Sequence, residues 1–418
     1  MKALTLTILA FYFAAFASAQ ETPSPTFVTE SFVSGLRGEV GANYPSVRGA
    51  AERIAAAQAA VRMVRLWEDP MLGLGYMTGD EELMMDDGDI GFGVEIPLPR
   101  FGLVEARRAK ARAAVDLATA NRNKVVLEVQ NIVASSALEI ALVDELIAIE
   151  KAELIWLDKM AQNALEKAKD PSASASEVLR FESELAKQLQ KLETYTRERE
   201  RIAAQLNIVL GKADKTRWRS LRLPTRVPKV PDATAIRRAL DSNPMVQMAR
   251  AEESIAEREV AIARAESGPV VALAADSSFY SGSGYRQTTV GVQISLPWFN
   301  EPSYRAGRET ASHTLSAARQ ETAGSRRSAE FEAIAAQTEA TSAFQTMHRF
   351  RDDVIPRMEK AMKSTEAAWI SSRASLIDVL DARRSLLASK VEERRAFAEG
   401  LAALEMLRSL SPTAFASK

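Results

Sequence analysis

The chain has 418 residues and a formal net charge of −1, from 54 Lys+Arg against 55 Asp+Glu, a balance that excludes the basic excess of a dedicated nucleic-acid binder. With no cysteine and two histidines, it has no disulfide framework, thiolate metal site or cysteine nucleophile, and no lipobox cysteine for a lipid anchor. Apolar residues at 46%, charged at 26% and aromatic at 6% fit long helices that pack on other helices.

Met1-Lys2 precedes an apolar run from Ala3 to Phe16, and Ala17-Ser18-Ala19 supplies the A-x-A pattern of a signal peptidase site. Residues 1–19 therefore read as a signal peptide and 20–44 as an N-terminal extended segment. No later run of about 18 apolar residues follows, so a membrane crossing by the mature chain has to be made of β-strands.

The mature sequence is written twice. Pro45 and Pro244 each open a helical stretch, and Pro70 and Pro269 each close one. Gly93-Val94-Glu95-Ile96-Pro97-Leu98-Pro99 returns as Gly291-Val292-Gln293-Ile294-Ser295-Leu296-Pro297, and Glu177-Val178-Leu179 as Asp378-Val379-Leu380. The common offset of about 200 residues is far too long for a solenoid, so each copy is half a molecule. The first repeat spans 45–210, the second 244–411, with 211–243 as a linking strap and 412–418 as a tail.

Each copy reads as helix, β-hairpin, very long helix and return helix. The hairpins, about 71–97 and 270–296, rest on period-two alternation. Leu72, Leu74 and Tyr76 share a face, as do Ile90, Phe92, Val94 and Ile96 in the next strand. Val271, Leu273 and Phe279 repeat the pattern less cleanly, and Val290, Val292, Ile294 and Leu296 repeat it well. The opposite faces carry Gly, Gln, Ser, Thr and Glu. One apolar and one polar face suit either a barrel wall between lipid and water or a half-buried soluble hairpin. The acidic segment from Gly79 to Asp89 between the first two strands lacks the order of a calcium loop and reads as solvated.

From Leu103 to Lys169 no proline or glycine interrupts the pattern, which would make one helix of roughly 100 Å. Its counterpart from Tyr304 to Trp369 contains Pro356, which predicts a kink or break. One heptad seam in the first long helix runs through Val129, Val133, Ser136, Ile140, Val143, Ile147, Glu150, Leu154, Leu157, Ala161 and Ala164. A second runs through Leu138, Leu142, Glu145, Ile149, Ala152 and Trp156. A two-stranded coiled coil needs a single seam, so two imply a wall or tube of helices. Lys169-Asp170-Pro171-Ser172 ends the first long helix, and Ser371-Ser372-Arg373-Ala374-Ser375 ends the second. The strap holds Pro224, Pro228 and Pro231 among seven Lys and Arg from Lys212 to Lys229.

This layout resembles the TolC-like outer-membrane efflux proteins, over nearly the whole stretch from Pro45 to Ser411. The most specific match is Trp369-Ile370-Ser371-Ser372-Arg373-Ala374-Ser375-Leu376-Ile377-Asp378-Val379-Leu380-Asp381-Ala382, which follows the family pattern of an aromatic, a turn and then D-V-L-D-A. Leu296-Pro297-Trp298-Phe299-Asn300 is similar to a run most familiar from the heavy-metal efflux branch. The resemblance implies a mainly α fold with a small β part: a homotrimer with a shared 12-stranded β-barrel in outer-membrane lipid and a long periplasmic α-barrel. It also implies a Gram-negative outer-membrane location reaching into the periplasm, and partners in a periplasmic adaptor (membrane fusion protein) and an inner-membrane pump.

By the same resemblance, Asp378 and Asp381 line a narrow periplasmic gate that selects cations, with Trp369, Ser372 and Arg373 in the adjoining turn. Ser372 stands where the family usually has glycine. A plain helix cap is the alternative role for Asp378. Asp170, Pro171, Ser172, Ser174, Ser375 and Leu376 are the expected adaptor-contact tips. No G-x-S-x-G, P-loop, dinucleotide fingerprint or H-E-x-x-H is present, so no enzyme, cofactor or metal site is expected, and no nucleic acid. The expected function is a passive efflux duct for metal cations or drugs; the alternative is a pore-less periplasmic coiled-coil scaffold or adaptor.

Overall fold

Two strands from each repeat meet in one four-stranded antiparallel sheet, and the rest of the described chain is almost all helix. A computed structural model describes residues 25–40, 44–77, 89–167, 176–279 and 286–415. The signal segment, most of the 79–89 acidic loop and the turn after the first long helix lie outside them.

In chain order the elements are β1 (Thr26–Phe27), α1 (Glu30–Val40), α2 (Pro45–Met63), β2 (Met71–Met77), β3 (Asp89–Pro97), α3 (Leu103–Lys167) and α4 (Ser176–Val209). Then come β4 (Leu221–Arg222), α5 (Ala233–Ala239), α6 (Pro244–Glu266), β5 (Val271–Phe279), β6 (Arg286–Ile294), α7 (Glu301–Arg349), α8 (Ile355–Ile370) and α9 (Leu376–Leu410). The duplicated unit of helix, hairpin, long helix and helix is thus present in both halves.

Two compact units share these elements. One takes the described residues up to Tyr44 with Val129–Val230 and Ala335–Leu407. The other takes Pro45–Glu128, Pro231–Ile334 and the described residues from Arg408. Each unit draws on both repeats, so neither repeat is a compact body by itself.

In the second unit the sheet order is β2-β3-β5-β6, which sets the two hairpins side by side through the β3–β5 ladder. Leu74 pairs with Phe92, Val94 with Ala275 and Leu273 with Val292. This register gathers the apolar positions on one face, where Leu74 is 70% and Val290 78% exposed. Phe92 and Phe279 meet edge-on at 5.8 Å across the join. The fifth strand's irregular pattern is resolved by the same register, which puts Val271, Leu273 and Phe279 on the apolar face with its neighbours. The other face carries Gly73, Gly93, Glu95, Asp276, Gly291 and Gln293. A Cβ on Gly93 would lie 2.5 Å from an Asp276 carboxylate oxygen, so glycine is what lets that aspartate lie across the strand. Among the described residues no helix is long and apolar enough to cross a membrane.

α3 runs unbroken for 65 residues, as the absence of Gly and Pro requires. The counterpart differs from a simple break at Pro356. A π-helical turn, Phe350–Val354, precedes the proline and the helix resumes at Ile355. The wider turn accommodates the missing N–H without ending the helix. In the first unit the first seam is buried over most of its length: Val133, Ile140 and Glu150 are 0% exposed. The second seam is less covered within the single chain, and Ala152 is exposed.

Helix contacts in this unit are close enough to overrule local preference at Gly400. A Cβ there would stand 2.6 Å from two atoms of the Phe344 ring. Glycine costs a helix interior about 1 kcal/mol relative to alanine, whereas forcing a methyl into a filled contact costs about 1–3 kcal/mol. Gly400→Ala should therefore lower the thermal midpoint of the purified protein despite its better helix propensity, and Phe344→Leu in the same chain should recover most of the loss.

Candidate functional site

The candidate site is the turn from α8 into α9, and it is built from the end of one helix and the start of the next. α8 stops in a Schellman motif: Arg373 N donates to Ala368 O at 2.7 Å and Ser372 N to Trp369 O at 2.9 Å. Ser372 carries the motif's left-handed position at φ 61°, the one positive-φ residue other than glycine among those described. The end of α4 uses the same bonds, Lys212 N to Asn207 O at 2.8 Å and Gly211 N to Ile208 O at 3.1 Å, with Gly211 at φ 69°. The α8 turn thus holds in serine a conformation that glycine adopts without the Cβ penalty. Arg373 Nε donates to Ser371 Oγ at 3.0 Å, folding the arginine back over the turn.

α9 then starts with a capping box. Ser375 Oγ accepts from Asp378 N at 3.2 Å, and Asp378 Oδ2 accepts from Ser375 N at 3.1 Å and Ser375 Oγ at 2.7 Å. The Ser375 hydroxyl, and after it the backbone N–H, hold the Asp378 carboxyl below its ordinary value. Asp381, one turn on, is exposed and pairs with Arg384 at 3.3 Å. Arg384 also reaches Glu184 of α4 at 2.7 Å. Burial alone would raise Glu184, but its bonds to Lys187 and Arg384 hold it low.

Beneath the turn lies an apolar core of Leu157, Met160, Phe181, Met362, Trp369, Leu376, Val379 and Leu386. Trp369 is 1% exposed and meets Phe181 edge-on at 5.9 Å. Its place in the turn is that of an anchor, not a surface group. Leu376, expected at the adaptor-contact tip, is corrected on the same ground: at 3% exposure it faces this core, because Leu376, Val379 and Leu380 form the buried stripe of α9. Ser375 and Ile377 remain at the surface. Asp170, Pro171, Ser172 and Ser174 lie outside the described residues.

Two side-chain groups absent from the sequence reading tie α9 and α4 to α3. Arg383 Nε meets Glu153 Oε2 at 2.7 Å and its guanidinium lies 4.5 Å from the Trp156 ring centre. Burial raises the Glu153 carboxyl, with Arg383 opposing it. Glu150, fully buried, takes Lys191 at 2.5 Å and a hydrogen bond from Gln188. Glu150 sits on the first heptad seam, so a charge at a core position was the available signal. Its partners on α4 had none.

Asp378 is a helix cap that stays at the surface. Its two bonds fall on one oxygen, so the carboxylate caps α9 while remaining exposed beside Asp381. A carboxylate whose folded value is depressed stabilises above its unfolded value and loses that contribution as pH falls through the folded one. Asp378→Asn should therefore lower the thermal midpoint at neutral pH. The difference from wild type should vanish on acidification below the ordinary aspartate value of 3.8, as followed by helix circular dichroism.

A family model described as "Outer membrane efflux protein" matches residues 36–212 and again 235–411, most of the chain. No curated protein matches the sequence. Among solved structures, the outer-membrane channel OprN is 18% identical with a TM-score of 0.77, covering 91% of this chain and 89% of that one. The Vibrio cholerae outer membrane protein VceC is 17% identical with a TM-score of 0.75, covering 91% and 96%. The open-state MtrE outer membrane channel of Neisseria gonorrhoeae is 17% identical with a TM-score of 0.71, covering 90% and 88%.

Proposed function

The chain belongs to the outer membrane efflux protein family, and we propose that it is the passive exit duct of a tripartite efflux system. In this reading the trimer stands in the outer membrane of a Gram-negative cell and extends into the periplasm. An inner-membrane pump supplies the energy, and a periplasmic adaptor joins the two.

The observation that carries the reading is the four-stranded sheet with an exposed apolar face and two open edges. A water-exposed sheet with Leu72, Leu74, Phe92, Val290 and Val292 on its surface would be an aggregation site. In hydrocarbon the same face is matched to its surroundings, provided that β2 and β6 find partners, because no water is there to satisfy edge N–H and C=O groups. Only other copies of the chain offer the matching edge, and three copies of four strands close a 12-stranded barrel. A pore-less scaffold has no use for that face.

Asp378 and Asp381 are the groups proposed to set ion selectivity. Repeated around a trimer axis they would ring the duct's periplasmic entrance with carboxylates, which attract cations and repel anions. The exposure of both, and of Arg384 beside Asp381, supports a water-filled setting. Opening would move helix tips apart, and an adaptor can favour that state only by binding it more tightly than the closed one. Metal cations or drugs fit such a duct, since the pump chooses the cargo.

Single-channel recording in a planar bilayer tests the reading. Wild type should give cation-selective openings, and Asp381→Asn, which leaves the α9 cap intact, should shift the reversal potential toward no selectivity. The Asp378→Asn/Asp381→Asn chain should shift it further. Unchanged selectivity in both variants would remove the aspartates from the constriction, and no conductance from any of them would contradict the duct.

A further inference from the structure

The strap after α4 carries a concentration of charge that the duct does not use. From Gly211 to Val230 the sequence has seven Lys and Arg against a single acid, Asp214, in a chain whose net charge is −1. Lys212 pairs with Glu39 at 2.8 Å. Among the described residues Lys215, Arg217, Arg219, Arg222, Arg226 and Lys229 make no ion pair, and all six are exposed. On the helices exposed arginines are mixed: Arg197 pairs with Glu193 and Arg201 with Glu198, while others such as Arg53 and Arg258 show no ion pair among the described residues. The strap is distinct in gathering six such cations within fifteen residues.

The strap is also fixed in place, although it contains only two residues of strand. Asn207 donates to Asp214 O at 3.0 Å and Thr216 O at 2.8 Å, and accepts from Trp218 Nε1 at 2.7 Å. Arg199 donates to the carbonyls of Trp218 and Arg219, each at 3.2 Å. Leu221 N donates to Asp144 at 2.8 Å and Leu223 N to Glu145 at 3.0 Å. β4 pairs in parallel with β1, Thr26 opposite Leu221. Leu221 and Leu223 are buried while Arg222 between them points out, the alternation of an edge segment pressed on a core. The backbone that carries Lys215, Arg217, Arg219 and Arg222 is therefore ordered by the fold and not at the moment of binding.

We propose that this ridge docks the carboxylate-bearing glycan–peptide polymer of the cell wall. The proposal rests on the exit-duct reading: a chain held in the outer membrane and reaching into the periplasm lies beside that polymer. Asp144 and Glu145 meet the strap's backbone around Arg222. Exposed cations without an ion-pair partner of their own gain from further opposite charges brought within a Debye length, roughly 8 Å in physiological salt. A flexible polymer with repeated carboxylates supplies such charges at successive points. Guanidinium groups take carboxylates in two-point contacts, and four of the six unpaired cations are arginine. The contacts lie on the surface and exchange with water, so they hold the duct without fixing it to one sequence of the wall.

The test is co-sedimentation of the full-length protein in detergent with purified cell-wall sacculi. Wild type should pellet with sacculi at about 50 mM salt and be released at about 300 mM, as a screened multi-charge contact requires. The Arg217→Gln/Arg219→Gln/Arg226→Gln/Lys229→Gln chain should bind at least tenfold more weakly, with the oligomer size on gel filtration unchanged. Sacculi whose carboxylates have been converted to amides should not retain wild type. Equal binding by the variant, or equal binding to amidated sacculi, would overturn the proposal. So would absence of binding to sacculi at low salt, including the case where the ridge instead retains the purified adaptor. The variant's bilayer conductance separates the two readings: wild-type conductance with no sacculus binding sinks the ridge proposal alone, and loss of conductance in wild type itself sinks the duct.

Discussion

A strand in hydrocarbon has to have every backbone N–H and C=O paired within protein, and that requirement governs the rest of this molecule. Four strands in the order β2-β3-β5-β6 satisfy three ladders and leave two edges. A chain with one hairpin would leave two edges for only two strands. Writing the hairpin twice and joining the copies through β3 and β5 doubles the wall that each chain contributes. The register then decides which way the wall faces. A slip of one residue in the β3–β5 ladder would move Val94 and Phe92 to the Asp276 side. Gly93 helps to fix it, since Asp276 fits across that position only while no side chain occupies it.

The helical unit meets a different constraint, because its buried positions are not all apolar. Glu150 and Glu153 lie inside with Lys191, Gln188 and Arg383 around them. Buried pairs of this kind add little net stability, yet removing one partner costs several kcal/mol, since the other charge is left without water. Their effect is to specify which helix faces meet. The α8–α9 turn is held differently, by local backbone bonds and by Trp369 driven into the core. Its acidic residues are left at the surface, where charge can act on a solute in addition to supporting the fold.

Much of the fold was legible in the sequence for physical reasons. The offset of paired Pro residues and the repeated G-V-x-I segment marked the duplication, and period-two alternation marked β2, β3 and β6 well. β5 was less clear because Ala275 and Ser277 occupy apolar-face positions. The Ser375-x-x-Asp378 spacing is a capping-box signature, so the cap could be anticipated from the residues alone. Leu376 was misjudged because proximity to the turn was weighed above the stripe it begins with Val379 and Leu380. The Arg383–Glu153 contact joins residues 230 positions apart, and no local pattern announces such a partner. Pro356 signalled a disturbance, but whether the chain breaks or widens into a π-turn depends on what packs beside it.

The central claim is that the sheet's open edges close on other copies of the chain, and the natural absence of cysteine gives a clean background for testing it. Cysteines placed in pairs on the two edges, Leu74→Cys with Val290→Cys or Val292→Cys, should oxidise in outer-membrane preparations to covalent dimers and trimers that run apart on denaturing gels and collapse to monomer on reduction. Single-cysteine chains should not form the trimer. A protein that stays monomeric in every paired combination, while folded and present in the outer-membrane fraction, would contradict the account.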